Sequence, residues 1–279
     1  MAAKHRQAID VLKPLLADRD SEVRAQAAKL LGDHRVAEAF DDLVARLRDE
    51  NARVRFFAAQ SLGKLKRPEA AEPLLALLEE NNDEDEYLRH AAVMGLVGSN
   101  NLSALAASAR SESRAVRMGV LLTLRRLGRP EVALFLRDAD KGIVREAAIA
   151  INDAPIDGAM ADLAALLANP VPDEPTMLRA INANFRLGQP EHAKALAEYA
   201  ARNGGSPKLR AEALAQLAFW PKPPARDRVV GVFRPVASAT RDVAAARQAI
   251  EQAMPALFAA GSPEEVQLAA LATVEALQG

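Results

Sequence analysis

Four histidines, His5, His34, His90 and His192, are the first candidates for acid–base or metal chemistry in this 279-residue chain. A zinc site built on one helix needs two imidazoles four residues apart, with a glutamate beside them as general base. No pair here has that spacing and no His-Glu dipeptide occurs, so each histidine reads as an exposed or partly packed side chain. The run Asp83-Glu84-Asp85-Glu86 suggests calcium, but it lacks the alternating oxygens and the glycine of an EF-hand loop. Acid at a helix start is expected from the helix dipole alone. The chain has no cysteine, which removes disulfides, thiolate ligands, cysteine nucleophiles and covalent haem attachment. Gly204-Gly205 is a lone turn before Ser206 and Pro207, not a phosphate loop, and no Gly-x-Ser-x-Gly elbow appears. These residues imply no catalytic group, no metal and no cofactor.

Arginines offer the other candidate chemistry. Arg110, Arg114, Arg117, Arg125, Arg126 and Arg129 form a basic cluster that could contact phosphates. A nucleic-acid groove needs a continuous basic face, often with aromatics for exposed bases. Here the arginines concentrate in one stretch, aromatics make up 4% of residues, and the net charge is −1. A solvated face explains the cluster better, and nucleic acid is not the expected partner.

The arginines also reveal the elements that carry them. Arg24, Arg55, Arg89, Arg117, Arg145, Arg179 and Arg210 recur at spacings of 31, 34, 28, 28, 34 and 31 residues, with Gln267 in an eighth copy. One residue before each stands a branched aliphatic: Val23, Val54, Leu88, Val116, Val144, Leu178, Leu209 and Val266. Three residues after stand Ala27, Ala58, Ala92, Val120, Ala148, Asn182, Ala213 and Ala270. Offsets −1, +3 and +7 share one helical face, and the alanine column marks where a neighbouring helix comes close. Asp20, Asn51, Asp85, Ser113 and Ser206 precede the helices as N-caps, and Gly32, Gly63, Gly98 and Gly188 stand where C-cap glycines belong. A second amphipathic segment precedes each helix, as in 9–16, 43–47 and 74–78. Each unit is thus helix A, turn, helix B. One pair cannot bury its own apolar face, so the pairs must stack.

The Val-Arg pair, the following alanines and an aspartate six residues before the arginine resemble the HEAT family. That resemblance implies an all-α, right-handed α-solenoid of about eight helix pairs, in one domain spanning 1–279. The array is regular over 5–217; a Pro-rich loop and irregular capping helices fill 218–279. It also implies a ladder of hydrogen bonds between adjacent repeats, for which Asp18/Arg24, Asp49/Arg55, Asp83/Arg89 and Asp173/Arg179 match the pattern. Repeats four, five, seven and eight lack the aspartate at that offset, so the ladder should be weaker there. Iron hydroxylases of this architecture carry repeated His-Glu pairs, which are absent here.

Two stretches, Arg89–Leu96 and Leu209–Pro235, are similar to the HEAT portion of large bacterial exported proteins. Those join a propeller similar to sugar dehydrogenases, a HEAT array and a c-type cytochrome with Cys-x-x-Cys-His. The resemblance implies a spacer or docking segment whose redox chemistry lies in sister domains. It also implies a periplasmic or exported location; without it the expectation is cytoplasmic. The first residues contain no apolar signal-peptide core, and no apolar run reaches the ~18 residues of a membrane span. Within 218–235, Pro221, Pro223 and Pro224 preclude regular helix, and Trp220 should pin the loop onto the last helices.

In HEAT arrays the B helices line the concave side. Offsets +1 and +5 from the anchor share a face distinct from the buried stripe. In the middle repeats they hold Phe56, Gln60, His90, Met94, Met118 and Leu122, a mainly apolar strip. Such a strip either packs between successive B helices or docks a partner. The expected function is a non-catalytic protein-interaction or scaffold module. Its partner is another protein or sister domains, and no oligomeric state is implied. The runner-up is a nucleic-acid-binding protein or DNA glycosylase-like enzyme on a HEAT scaffold.

Overall fold

The computed structural model describes residues 9–236 and 241–278, which leaves His5 and the first residues of the expected array outside the described part. The fold is all-α, a helical-repeat solenoid. The chain divides into two compact units, Met1–Glu131 and Val132–Gly279. The boundary falls inside the regular part of the sequence repeat, in a 3₁₀ helix over Pro130–Arg137 that stands where a helix A was expected.

The first unit contains α1 (Ser21–Asp33), α2 (Phe40–Arg46), α3 (Ala52–Leu65), α4 (Ala71–Asn81), α5 (Glu86–Ser99), α6 (Leu102–Ser108) and α7 (Arg114–Arg126). The B helices α1, α3, α5 and α7 pack side by side, each against the next. Their apolar columns are buried to near zero exposure, as at Val54, Ala58 and Leu62 of α3 and Leu88, Ala92 and Leu96 of α5. Every expected N-cap in this unit accepts a backbone N–H through its side chain: Asp20 from Glu22, Asn51 from Arg53, Asp85 from Tyr87 and Leu88, Ser113 from Val116. The A elements are less regular than expected. The first copy has an α-helical turn over 9–12 followed by a 3₁₀ helix over Pro14–Ala17. Short 3₁₀ turns over Ala37–Ala39 and Pro68–Ala70 lead into α2 and α4.

Three of the expected C-cap glycines are not caps. Gly32, Gly63 and Gly98 lie inside α1, α3 and α5, and the left-handed residues that end α3 and α5 are Lys66 and Asn100. Only Gly188 closes its helix in the left-handed conformation. The interior glycines let B helices touch backbone to backbone. A Cβ on Gly98 would stand 2.1 Å from the Gly63 carbonyl oxygen, and one on Gly32 2.1 Å from Ser61 Oγ.

The second unit contains α8 (Lys141–Asp153), α9 (Met160–Ala164), α10 (Glu174–Leu187), α11 (Pro190–Ala201), α12 (Pro207–Ala218), α13 (Val243–Leu257) and α14 (Glu264–Gln278). The alternation continues to the end: α8 packs on α10, α10 on α12 and α12 on α14, while α11 packs on α13. The helices expected as an irregular cap therefore stack as a further pair, and the irregular part is the loop over 219–236 before them. Trp220 is fully buried edge-on against Phe185 of α10, with the Arg241 guanidinium over both rings at 4.5 and 4.4 Å. The loop is tied further back as well. Arg234 donates to the Asn152 carbonyl at the end of α8, and buried Asp227 accepts from Asn182 of α10.

Candidate protein-docking face

The six strip residues sit on three consecutive B helices of the first unit: Phe56 and Gln60 on α3, His90 and Met94 on α5, Met118 and Leu122 on α7. His90 is exposed; the other five are half-buried. The strip is neither the open apolar surface nor the buried seam that the two sequence readings offered. Direct B-on-B packing places it so: each helix shields one flank of its neighbour's side chains and leaves the other to solvent. Phe56 meets Phe57 edge to face at 5.3 Å, and Arg53 lies 5.4 Å over the Phe57 ring. The result is a mainly apolar face with one imidazole and one amide for hydrogen bonding.

The anchor arginines perform a job that their spacing did not disclose. Arg24 Nη1 donates to the carbonyls of Asp18 and Arg19, and Arg117 Nη1 to those of Ser111 and Glu112. Gln267 Nε2 reaches the Ser262 carbonyl in the eighth copy. In these three copies the anchor thus closes the A–B turn behind it, which satisfies carbonyls the helix start cannot use.

Carboxylate contacts are added to this, and they differ from the pairs read off the sequence. Arg24 makes a two-pronged bond to Asp49 of the next repeat, at 2.9 and 2.8 Å, with both side chains buried. Burial pushes the Asp49 carboxyl up, but Arg24, the Asn51 amide and Arg46 together hold it below its ordinary value. Asp18 and Asp49 also brace their turns by accepting from the Asp20 and Asn51 amides. Arg55 does not meet Asp49; it contacts Glu80 at 3.5 Å. Arg89 does meet Asp83 of its own repeat at 2.9 Å, and Arg114 takes the other oxygen at 2.7 Å.

Repeats five and six slip in register. Arg145 lies five residues after the cap Asp140, and Arg179 six after the cap Asp173, where Arg24 lies four after Asp20. Asp173 is therefore the cap of α10, accepting from the Thr176 amide and hydroxyl, and it pairs with Arg145 rather than Arg179. Arg145 and Thr176 hold its carboxyl down at about 2. Arg179 turns back to Asp153 at 2.9 and 2.7 Å. Repeat five, expected to have a weak ladder, has a rung to Asp173 of the next repeat, with the Arg145 side chain half exposed.

The remaining sequence candidates resolve into structural roles. Of the acidic run, Asp83 holds two arginines and Asp85 caps α5, and no group of three metal-capable side chains occurs among the described residues. His192 Nδ1 accepts from the Gln189 amide at the start of α11, and burial pushes its pKa down. In the basic cluster, Arg114, Arg117 and Arg129 are held by Asp83, turn carbonyls and Glu131 respectively, which does not favour a nucleic-acid face. Sequence reading missed Asn182 and Asp227. The signal was Asn182 itself, polar in a column of alanines.

Stacked A–B helix pairs joined by anchor residues define a helical-repeat protein of the HEAT class. The family model for HEAT repeats matches residues 9–96 and 77–152, and the chain belongs to that family. No curated protein matches it in sequence. The solved complex of CpcE and CpcF of phycocyanin lyase from Nostoc sp. PCC7120 is similar at 25% identity and a TM-score of 0.38, covering 75% of this chain and 86% of that one. Human deoxyhypusine hydroxylase is similar at 16% identity and a TM-score of 0.37, covering 99% and 98%. Likenesses at these scores carry no argument about activity. No helix among the described residues is long and apolar enough to cross a membrane.

Proposed function

We propose that the chain is a non-catalytic interaction module that docks a protein, or sister domains of its own polypeptide, on the B-helix face of its first unit. The observation that carries this reading is the strip itself. Phe56, Met94, Met118 and Leu122 run across three adjacent helices, half-accessible, beside exposed His90 and half-buried Gln60. Adaptable methionines beside an aromatic suit a protein surface, because thioethers repack around varied partners. The family membership supports the reading, since stacked repeats present extended surfaces. The finer proposal is a spacer between a dehydrogenase-like propeller and a c-type cytochrome. It rests on the resemblance of Arg89–Leu96 and Leu209–Pro235, and it places the chain in an exported protein.

The test uses a photo-crosslinking residue at Met118 and, as a control, at Glu72 on α4, followed by Met94→Glu in the Met118 background. Capture of one partner at Met118 only, abolished by Met94→Glu with an unchanged unfolding midpoint, is the expected result. Equal capture at both positions, or capture indifferent to Met94→Glu, sinks the reading. For the finer proposal, an open reading frame encoding neither a propeller nor Cys-x-x-Cys-His is the decisive negative.

A further inference from the structure

Arg210 is the one anchor whose surroundings call for something the protein does not supply. It is 5% exposed, and its Nε donates to the Ala200 carbonyl at 2.7 Å. Arg24, Arg145 and Arg179 each take a two-oxygen carboxylate from a neighbouring repeat. Arg210 has no carboxylate partner and no acceptor for Nη1 or Nη2 among the described residues. Position 204, where an aspartate would stand six residues before it, is glycine. A buried guanidinium without a counter-ion is costly, because desolvation is not offset; burial accordingly pushes the Arg210 pKa down.

Arg210 instead lines a cavity of about 520 Å³ between the turns that precede α10 and α12. That volume lies in the range of small-ligand sites. Its apolar wall includes Pro170, Val171, Met177 and Leu209. Tyr199 lines it too, 6% exposed, its hydroxyl in the field of Arg202 and Arg210. Two carboxylates border the cavity, but Asp173 is committed to Arg145 and Glu174 to Lys208. The charge left over at the wall is positive, from Arg210 and from Arg202 at the mouth, whose Nη2 donates to the Ala168 carbonyl.

We propose that this cavity binds a carboxylate carried on a small apolar body, the carboxylate bridging Nη1 and Nη2 of Arg210, the two nitrogens left over once Nε is given to the Ala200 carbonyl. The planar guanidinium fork matches two carboxylate oxygens, and the apolar wall takes the rest of the ligand. The site is separate from the B-helix strip and stands or falls independently of it. The same chemistry has two sources, a free organic acid or the carboxyl terminus of a peptide.

Hexanoate and N-acetyl-leucine represent these sources, with hexanamide and N-acetyl-leucinamide as uncharged controls, titrated against the whole chain by NMR. Saturable shifts confined to residues around the cavity are expected for the acids, with binding at least roughly tenfold weaker for the amides. The tighter acid names the source. Arg210→Gln should cost a similar factor, and Arg210→Lys should restore part of it. If Arg210→Gln does not fold, Val171→Trp, which fills the cavity and leaves Arg210 in place, should abolish binding. No saturable binding by either acid overturns the proposal. So does equal binding of acid and amide, and so does binding that survives Arg210→Gln or Val171→Trp.

Discussion

Asn182 illustrates how one residue can disclose a distant structure. It occupies a column of alanines, and its amide nitrogen donates to Asn152 Oδ1 at 2.8 Å and to Asp227 Oδ2 at 2.9 Å. Asp227 also gathers Arg186, Arg234 and the Val229 and Val230 amides, so residues 227–234 of the loop converge on this hub. Asn182→Ala should destabilise the second unit by about 1–3 kcal/mol, the cost of leaving a buried polar group short of a partner. Denaturant unfolding measures that. Asp173 makes a pH prediction. Its folded-state value of about 2 lies below the ordinary aspartate value, so the unfolded chain binds the proton first as pH falls. Its stabilisation is full above about pH 4 and is lost as pH falls towards about 2. Asp173→Asn keeps a side-chain oxygen at the helix cap but not the charge facing Arg145. Its stability deficit against the unsubstituted protein should therefore be clear at neutral pH and shrink near the acid limit. A deficit independent of pH would mean that the cap, not the ion pair, matters.

At the scale of helices, the repeat was legible because two independent periodicities coincide: the apolar stripe and the side-chain caps. Both are local, and both survive in the structure. What the sequence concealed depends on contacts between repeats. The arginine column looked like an ion-pair ladder within each repeat, yet most of its carboxylates come from neighbouring repeats, and Arg24 and Arg117 also bond turn carbonyls, which every residue possesses and no pattern can mark. The slip of Arg145 and Arg179 relative to their caps was hidden for the same reason: anchoring the copies on arginine forces them into register. Gly32, Gly63 and Gly98 stood near helix ends and resembled caps, but close approach of the next helix, not a left-handed turn, is what requires them. Gly98→Ala should therefore cost about 1–3 kcal/mol through overpacking against the α3 backbone. For a true cap near a helix end, the expected penalty comes from φ instead. The strip of Phe56, His90 and Met118 was legible as a face, but its degree of exposure was not, since it is set by how far neighbouring B helices overlap.

For the whole molecule, repeat proteins hold together through nearest-neighbour interfaces, so damage spreads from its origin rather than acting everywhere at once. Gly98→Ala lies in the first compact unit and Asn182→Ala in the second. Native-state hydrogen exchange should show protection falling first in the unit that carries each substitution. Uniform loss of protection across 9–278 in either variant would show one cooperative unit instead. The division at 131/132 left no trace in the arginine spacings, because Pro130–Arg137 keeps the length of a repeat while exchanging an α-helix for a 3₁₀ helix.

The burial of Trp220 carries a spectroscopic consequence. It is the chain's only tryptophan and belongs to the second unit, packed against Phe185 with a guanidinium over its indole. Its emission should be blue-shifted in the native protein and move to the red when that unit opens, while the first unit melts unseen by it. Circular dichroism at the helix band registers both. The two curves recorded on one sample form an internal clock: any gap between them is the interval in which one unit has unfolded and the other has not.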